Sequence, residues 1–240
     1  MAAEKINLKL GGFFNAAAVG VSQSNNEGLK APGFVTSGEI YAQGWTDLDD
    51  GISVGFRTEF ELERDNGYTE AFFSDTQYQD DLIDEVWAYI EGPFGRFEFG
   101  QQDGVADQMM FYGPTVSQAI KVNNPDIFLL ECPTASFCAG SPTGRPYTPN
   151  GLQLRTDMHV TEDYTKIIYY TPRIHGFQAG VSYTPELVRN FSGFATRQEN
   201  QRNQQSQIWE FGINYAERFG SLDLGFSAAY LTGTNEDPHA

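Results

Sequence analysis

The sequence lacks any apolar run long enough to cross a membrane as a helix. Its longest apolar stretch, at about residues 16–21, falls far short of the roughly 18 residues that such a helix needs. The chain is therefore either water-soluble or crosses a bilayer with strands. Strands whose side chains alternate between lipid and a wet interior leave no hydropathy peak.

Basic residues are scarce as well. Lys and Arg together number 15 against 32 Asp and Glu, which gives a formal net charge of −17. A chain this acidic is repelled by the phosphate backbone, so we expect no nucleic-acid partner. Aromatic residues make up 14% of the chain, too large a share for an acidic chain that stays disordered. The abundance of Tyr and Phe favours strands.

Cysteine is limited to Cys132 and Cys138, which lie close together in a polar segment rich in Pro and Gly. Such an isolated pair is typical of a small disulfide loop formed in an oxidising compartment. The alternative is half of a zinc site, but the chain has no second Cys pair and the nearest histidine is His159. We expect a disulfide and no cofactor, although loop carboxylates can bind divalent cations weakly.

Motifs of catalysis are also missing. The sequence has no Gly-Lys-Ser/Thr phosphate loop, no Gly-x-Ser-x-Gly elbow and no metal-binding spacing among its three histidines. Glu59 and Glu61 share a strand face, as the carboxylates of a glycoside hydrolase can, but no partner motif supports catalysis. Residues 47–51 resemble a calcium loop only faintly and fit a hairpin turn better. We predict that the chain is not an enzyme.

The dominant hydrophobic period is two, and residues 52–62 display it best. One face holds Ile52, Val54, Phe56, Phe60 and Leu62, with Thr58 among them, and the other holds Ser53, Gly55, Arg57, Glu59 and Glu61. Side chains alternate across a strand, so this segment has one apolar and one charged face. The alternation recurs near residues 6–10, 40–43, 85–90, 96–100, 166–169, 177–183, 209–215 and 222–230. The pattern predicts nine strands, each about as long as a tilted strand that crosses a bilayer.

The predicted connections alternate between short and long. Tight turns are predicted at residues 47–51, 92–95, 172–176 and 216–220, and long polar loops at about 23–33, 64–81, 104–163 and 185–207. This alternation is typical of a transmembrane antiparallel up-and-down β-barrel, with turns on one side of the membrane and loops on the other. The third loop, at about 104–163, is long enough to indicate a function. Residues 109–112, which open it, are expected to form a short helical turn against the wall.

Alternation alone does not separate a membrane barrel from a soluble β-sandwich, because both have one apolar and one polar face. Phe97, Trp209, Tyr215 and Tyr230 lie near predicted strand ends on the apolar face, as in interfacial aromatic girdles. No Lys or Arg interrupts the apolar faces of the central strands, where a midplane charge costs ~2–4 kcal/mol. We predict the membrane barrel. The alternative is a secreted β-sandwich that binds carbohydrate or calcium.

Three segments carry a family resemblance: NLKLGGFFN at residues 7–15, GPFGRFEFGQQDG at 92–104 and TKIIYYTPRIHGFQAGVSYTPE at 165–186. In this order they resemble the general porins of Gram-negative bacteria, and the likeness extends over the whole chain. The resemblance implies a homotrimer of sixteen-stranded barrels in the lipid and lipopolysaccharide of the outer membrane. Each barrel would pass small hydrophilic solutes and ions by passive diffusion, and its third loop would fold into the lumen as a constriction.

The resemblance also implies that loop carboxylates face basic residues of the wall. The loop candidates are Asp107, Asp126 and Glu131, and the basic wall candidates are Lys9, Arg57, Arg96 and Lys166. Inward carboxylates dilute this basic cluster: Glu39, Glu59, Glu61, Glu85, Glu98 and Glu210. We therefore predict a preference for cations. A further alternative is a sugar-specific channel, because aromatic residues share the inward face at Tyr41, Trp87 and Tyr89.

Nine strands do not close a sixteen-stranded barrel. An odd number of strands would leave two open sheet edges in lipid, where unpaired backbone groups are not tolerated. The last residues, 235–240, resemble an outer loop. We expect residues 1–240 to be the N-terminal portion of a single porin β-barrel domain.

Overall fold

The computed structural model describes residues 5–20, 32–62, 83–111, 158, 160–162, 164–187 and 205–235. Their elements, in chain order, are β1 (Asn7–Gly20), β2 (Pro32–Asp47), β3 (Ser53–Glu61), β4 (Ile83–Gly92), β5 (Gly95–Gln101), α1 (Val105–Gln108), β6 (Thr165–Tyr170), β7 (Phe177–Glu186), β8 (Gln205–Phe219) and β9 (Leu222–Asn235). A 3-10 turn at Asp49–Gly51 connects β2 to β3. Within these ranges, no helix has the length and apolar character that a membrane crossing requires.

All the strands belong to one sheet, in the order in which they follow one another along the chain. Its order is β1-β2-β3-β4-β5-β6-β7-β8-β9, and each pair of neighbours is antiparallel. Antiparallel neighbours can be joined by tight hairpins, which is how four of the connections are made. The predicted all-β, up-and-down architecture is confirmed, and β1 and β9 form the two edges of the sheet.

Three of the four predicted tight turns are confirmed, and the fourth is displaced. Residues 216–219 were expected to belong to a turn, but β8 continues to Phe219 and these residues pair with β9, from Ala216 opposite Gly225 to Phe219 opposite Leu222. The turn lies at Gly220 and Ser221 instead. Gly220 has a φ of 63°, which glycine adopts without the clash that a Cβ would cause. The prediction was wrong because polar residues at a strand end are also compatible with pairing.

Cross-strand pairing assigns each residue to a face of the sheet. Residues directly opposite one another point to the same side, so one row runs from Tyr89 through Glu98, Ile168 and Ser182 to Glu210. Helix α1 packs against this side. We define the face that bears this row as the inner face and the opposite one as the outer face.

The outer face is apolar and exposed. Phe99 is 63% exposed and Phe211 is 46% exposed, whereas Ile168 and Glu210 on the inner face are both fully buried. Aromatic rings cluster on the outer face near the turns, where the ring centroids of Tyr215 and Phe177 are 4.7 Å apart. Another cluster lies nearer the loops, where the rings of Tyr183 and Trp209 are 4.6 Å apart. A soluble β-sandwich would bury this apolar face against a second sheet.

Candidate functional site

The inner face brings together the wall residues that the sequence predicted. One row of paired residues runs from Lys9 through Gln43 and Arg57 to Trp87, and continues through Gly100 to Lys166. The neighbouring positions of the same face hold Glu39, Glu59, Glu61, Glu85, Arg96 and Glu98. Asp107 lies in α1 and is buried. The remaining predicted residues lie outside the described part of the chain: Asp126, Glu131, Cys132 and Cys138.

Strands β2 and β3 place a tyrosine, an arginine and a glutamate in contact. The guanidinium of Arg57 lies 3.9 Å from the centroid of the Tyr41 ring, within the range of a cation–π interaction. Its Nε also donates to the carboxylate of Glu59, which lies directly opposite Tyr41. Arg57 is therefore held by a ring face and by a carboxylate of its own strand.

Strands β4 and β5 repeat this arrangement. The guanidinium of Arg96 lies 4.0 Å from the centroid of the Tyr89 ring and 5.3 Å from that of Trp87. Its Nε is 2.5 Å from Glu98 Oε1 and its Nη1 is 2.8 Å from Glu91 Oε2. Glu98 lies directly opposite Tyr89, as Glu59 lies opposite Tyr41. Two successive hairpins thus carry the same three residue types in the same register.

Carboxylates accumulate on the part of the inner face nearest the start of the third loop. The side chain of Glu39 lies within hydrogen-bonding reach of Glu59 and in the electrostatic field of Asp84 and Glu85. The carboxylate of Glu85 accepts the backbone N–H of Asp103 at 3.1 Å. Among the described residues, no group of His, Cys, Asp and Glu side chains is arranged to hold a metal ion. The chemical property of this region is its high density of carboxyl groups.

Helix α1 covers the inner face of β7, β8 and β9. The backbone N–H of Val105 donates to Ser182 Oγ at 3.3 Å, and that of Ala106 donates to Glu210 Oε2 at 3.0 Å. Asn214 Nδ2 donates to the carbonyl of Met109 at 3.1 Å. The first N–H groups of a helix have no partner within it, so the wall satisfies two of them. A helical turn packs against the wall as expected, but it spans Val105–Gln108 and ends before the predicted residues 109–112, of which residue 112 lies outside the described part of the chain.

Glycines of the wall make this close packing possible. A Cβ at Gly180 would lie 2.5 Å from the sulfur of Met109, and one at Gly212 would lie 2.9 Å from the same atom. These two glycines are directly opposite each other on β7 and β8. Met109 therefore occupies space that any larger wall residue would fill.

The returning end of the third loop contacts the same part of the wall. Thr161 donates its hydroxyl to Glu210 Oε1, and Met158 donates its N–H to the carbonyl of Ala106 at 3.1 Å. Lys166 Nζ donates to the carbonyl of Thr161 at 2.5 Å and to that of Gln102. Lys166 is 1% exposed. The structure thus places this predicted wall cation on the inner face, but with its charge covered by both ends of the loop.

Sequence reasoning missed a cation of the inner face, Arg173. Arg173 donates through Nη2 to Gln178 Oε1 at 2.9 Å and to Asn214 Oδ1 at 2.8 Å. Arg173 was assigned only to a turn, and the period of two gives no face to a turn residue.

Near these turns the inner face borders a cavity of about 700 Å³, whose lining includes Trp45, Tyr89, Arg96, Tyr170 and Gln178.

Comparison with known proteins supports what this geometry indicates. A search of curated proteins gave no match. A family model described as Gram-negative porin matches residues 1–240, the whole chain. The up-and-down sheet of antiparallel strands is consistent with a porin-type β-barrel. This chain belongs to the Gram-negative porins, which are channel proteins of the outer membrane.

Proposed function

We propose that the inner face lines a water-filled channel through which small hydrophilic solutes and ions diffuse passively, with a preference for cations. One observation carries the proposal: the sheet exposes its apolar face and turns its charged face inward. A soluble protein has the opposite arrangement. In a bilayer the exposed face meets lipid and the charged face meets water. The proposed mechanism is diffusion without a binding step, so no catalytic residue is assigned.

The preference for cations follows from how the charges of the wall are paired. The positive charges of Arg57 and Arg96 are held by carboxylates of their own strands. Lys166 is buried beneath the loop ends, whereas Lys9 is exposed. Negative charge near the start of the third loop therefore dominates the field that a passing ion meets. In a narrow space bounded by a low-dielectric wall, such a ring of charge acts strongly on ions.

The assembly and domain boundaries are part of the same proposal. The edge strands β1 and β9 need partners in a bilayer. Each unpaired backbone group in lipid costs roughly several kcal/mol. We assign residues 1–240 to the N-terminal portion of one barrel domain, with the third loop at about 104–163. The assembled protein would be a homotrimer in contact with lipid and lipopolysaccharide.

The test is to reconstitute the full-length protein in a planar bilayer and record single channels in a KCl gradient. We expect ohmic steps and a reversal potential on the cation-selective side. Substituting Glu39, Glu61 and Glu85 together by Gln should move the reversal potential towards zero. Glu217→Gln, a carboxylate on the outer face near a turn, is the control and should not move it. An unchanged reversal potential in the triple variant would refute the proposed role of these carboxylates.

A sugar-specific channel is the second candidate. The cavity near the turns favours it, because Trp45, Tyr89 and Tyr170 border about 700 Å³ together with amide and carboxylate side chains. A specific channel would show saturable block of its ion current by an added oligosaccharide. A general channel would show only the small, linear decrease that follows from higher viscosity.

A further inference from the structure

Two tyrosine rings of the inner face lie flat across glycines of the preceding strand. Gly11 is directly opposite Tyr41, and a Cβ at Gly11 would lie 2.2 Å from Cζ of that ring. Gly55 is directly opposite Tyr89, and a Cβ there would lie 2.7 Å from Cε1 of that ring. Real Cβ atoms do not approach other atoms this closely. In both places the absence of a side chain allows the ring to rest on the wall.

Each ring is also contacted by an arginine of the following strand. These guanidinium groups lie 3.9 Å and 4.0 Å from the ring centroids, and each binds the glutamate directly opposite the tyrosine. We name this set of four residues a ring clamp. The first ring clamp is Gly11, Tyr41, Arg57 and Glu59, on β1 to β3. The second is Gly55, Tyr89, Arg96 and Glu98, on β3 to β5.

The same four residue types occur twice in the same register, which argues against a chance arrangement. Each ring clamp uses three consecutive strands, and the glycine, tyrosine and glutamate form one straight row of paired residues. The second arginine is held further by Glu91 at 2.8 Å. A planar guanidinium can lie on a ring and still donate in its own plane to carboxylates, which an ammonium cannot do.

We propose that Arg57 and Arg96 are positioning residues that hold the two tyrosine rings flat against the wall and thereby set the width of the lumen along β1–β5. This inference rests on the proposed channel function and adds a structural role for the two arginines. Their charges are directed to Glu59 and Glu98, so the arginines do not act as free cations that attract anionic solutes. A ring released from its clamp would project into the space through which solutes pass.

The sharpest test is Gly11→Ala, which adds one methyl group and no charge. The three atoms nearest to the added Cβ all belong to the Tyr41 side chain, so the ring must move away from the wall. We expect single-channel conductance to fall and the largest neutral polymer that enters the channel to become smaller, with an unchanged reversal potential. In a Tyr41→Ala background, the same glycine substitution should have no effect.

The outer face offers a matched control. A Cβ at Gly44 would lie 2.6 Å from Cε1 of Phe56, so Gly44→Ala displaces an aromatic ring in the same way, but towards lipid. Conductance should then equal that of the wild-type protein. The inference is overturned if Gly11→Ala conducts like wild type, or if its loss of conductance persists unchanged in the Tyr41→Ala background.

A second variant keeps the inference testable if Gly11→Ala does not assemble. Arg96→Lys preserves the positive charge but removes the planar group, so polymer exclusion should change while the reversal potential stays constant. Arg218→Lys is its control, because Arg218 forms an exposed pair with Asp223 at 3.6 Å near the β8–β9 turn. Equal polymer exclusion in Arg96→Lys and wild type would refute the positioning role. A wild-type protein that forms no channel would refute the proposed function itself.

Discussion

The two halves of the inner face, β2–β5 and β6–β9, have the same strand geometry but differ in what covers them. Along β2–β5 the wall carries long side chains that contact one another, as in Tyr89, Arg96 and Glu98. Along β6–β9, α1 lies on the wall and covers residues such as Ser182 and Glu210. Ser182 is 1% exposed and Glu210 is fully buried, whereas the side chain of Arg96 is 27% exposed.

This difference shows how one pattern can yield two kinds of wall. Alternation decides only that a residue points inward, and the size of the inward residue then decides what can lie above it. Gly180 and Gly212 leave room for Met109, so a loop segment packs there. Tyr41 and Tyr89 fill the corresponding space themselves. The covered half is therefore expected to contribute more to stability, and the open half more to permeation.

The largest effect should come from removing the carboxylate at the centre of the covered half. Glu210→Ala deprives the N–H of Ala106 and the hydroxyls of Ser182 and Thr161 of their common acceptor. Since each buried unsatisfied donor costs about 1–3 kcal/mol, we expect a loss of roughly 3 kcal/mol or more. Thermal unfolding in detergent, followed by the strand signal in circular dichroism, measures it.

Glu217→Ala is the control for that experiment, because it removes an exposed carboxylate from the same strand. It should change the free energy of unfolding by no more than about 0.5 kcal/mol. Equal effects of the two substitutions would mean that α1 is not anchored through Glu210, and the distinction between the two halves would be lost.

A bulky residue beneath α1 should have the next largest effect. Gly180→Val places methyl groups where the sulfur of Met109 lies, and overpacking of this kind costs about 1–3 kcal/mol. The helix should separate from the wall. Peroxide oxidation followed by mass spectrometry reports this directly, because Met109 is 3% exposed in the native structure and should become reactive.

Met158 is the internal control for the oxidation experiment. It is 41% exposed and should react equally in the wild-type and variant proteins. Continued protection of Met109 in the variant would show that the strands of the wall shift while α1 stays in place.

In the open half, Arg96→Gln should act mainly on permeation. The substitution leaves Glu98, which is 4% exposed, without its cationic partner. We expect a stronger cation preference in the reversal potential and a loss of roughly 1–2 kcal/mol, reduced by the partial exposure of the arginine. A reversal potential that moves towards anions would contradict the pairing of these charges.

Much of the fold follows from the sequence because strand alternation and turn residues are local signals. The alternation over residues 52–62 predicted β3, and Pro93 with its flanking glycines predicted the turn between β4 and β5. The family was identifiable from motifs that occur in the same order. The end of β8 was predicted incorrectly, since Glu217 and Arg218 are compatible with either a turn or an exposed strand end.

The covering of the wall was less predictable, because it depends on contacts between residues far apart in the chain. Lys166 has the alternation of a lumen-lining residue, yet its ammonium is buried against carbonyls of Gln102 and Thr161. One signal was present in the sequence: the inward residues Gly180, Ser182 and Gly212 are small, unlike those of β2 and β4. That contrast between strands could have indicated where a loop packs.

The smallest predicted effect compares one chemical change in the two halves. Tyr89 and Tyr170 are buried to nearly the same extent, at 7% and 8% exposed, and both carry a hydroxyl on the inner face. The Tyr170 hydroxyl donates to Gln108 Oε1 at 2.8 Å, whereas that of Tyr89 is 3.4 Å from Gln43 Nε2.

Tyr170→Phe should therefore cost about 1 kcal/mol, and Tyr89→Phe close to nothing, because only the shorter contact is a strong hydrogen bond. Conductance should be unchanged by Tyr89→Phe, since the ring and its contact with Arg96 remain. Detergent unfolding of the two variants in parallel measures the difference. Equal costs would mean that the hydroxyl of the open half is held as firmly as that of the covered half, and that loop packing does not explain the contrast between them.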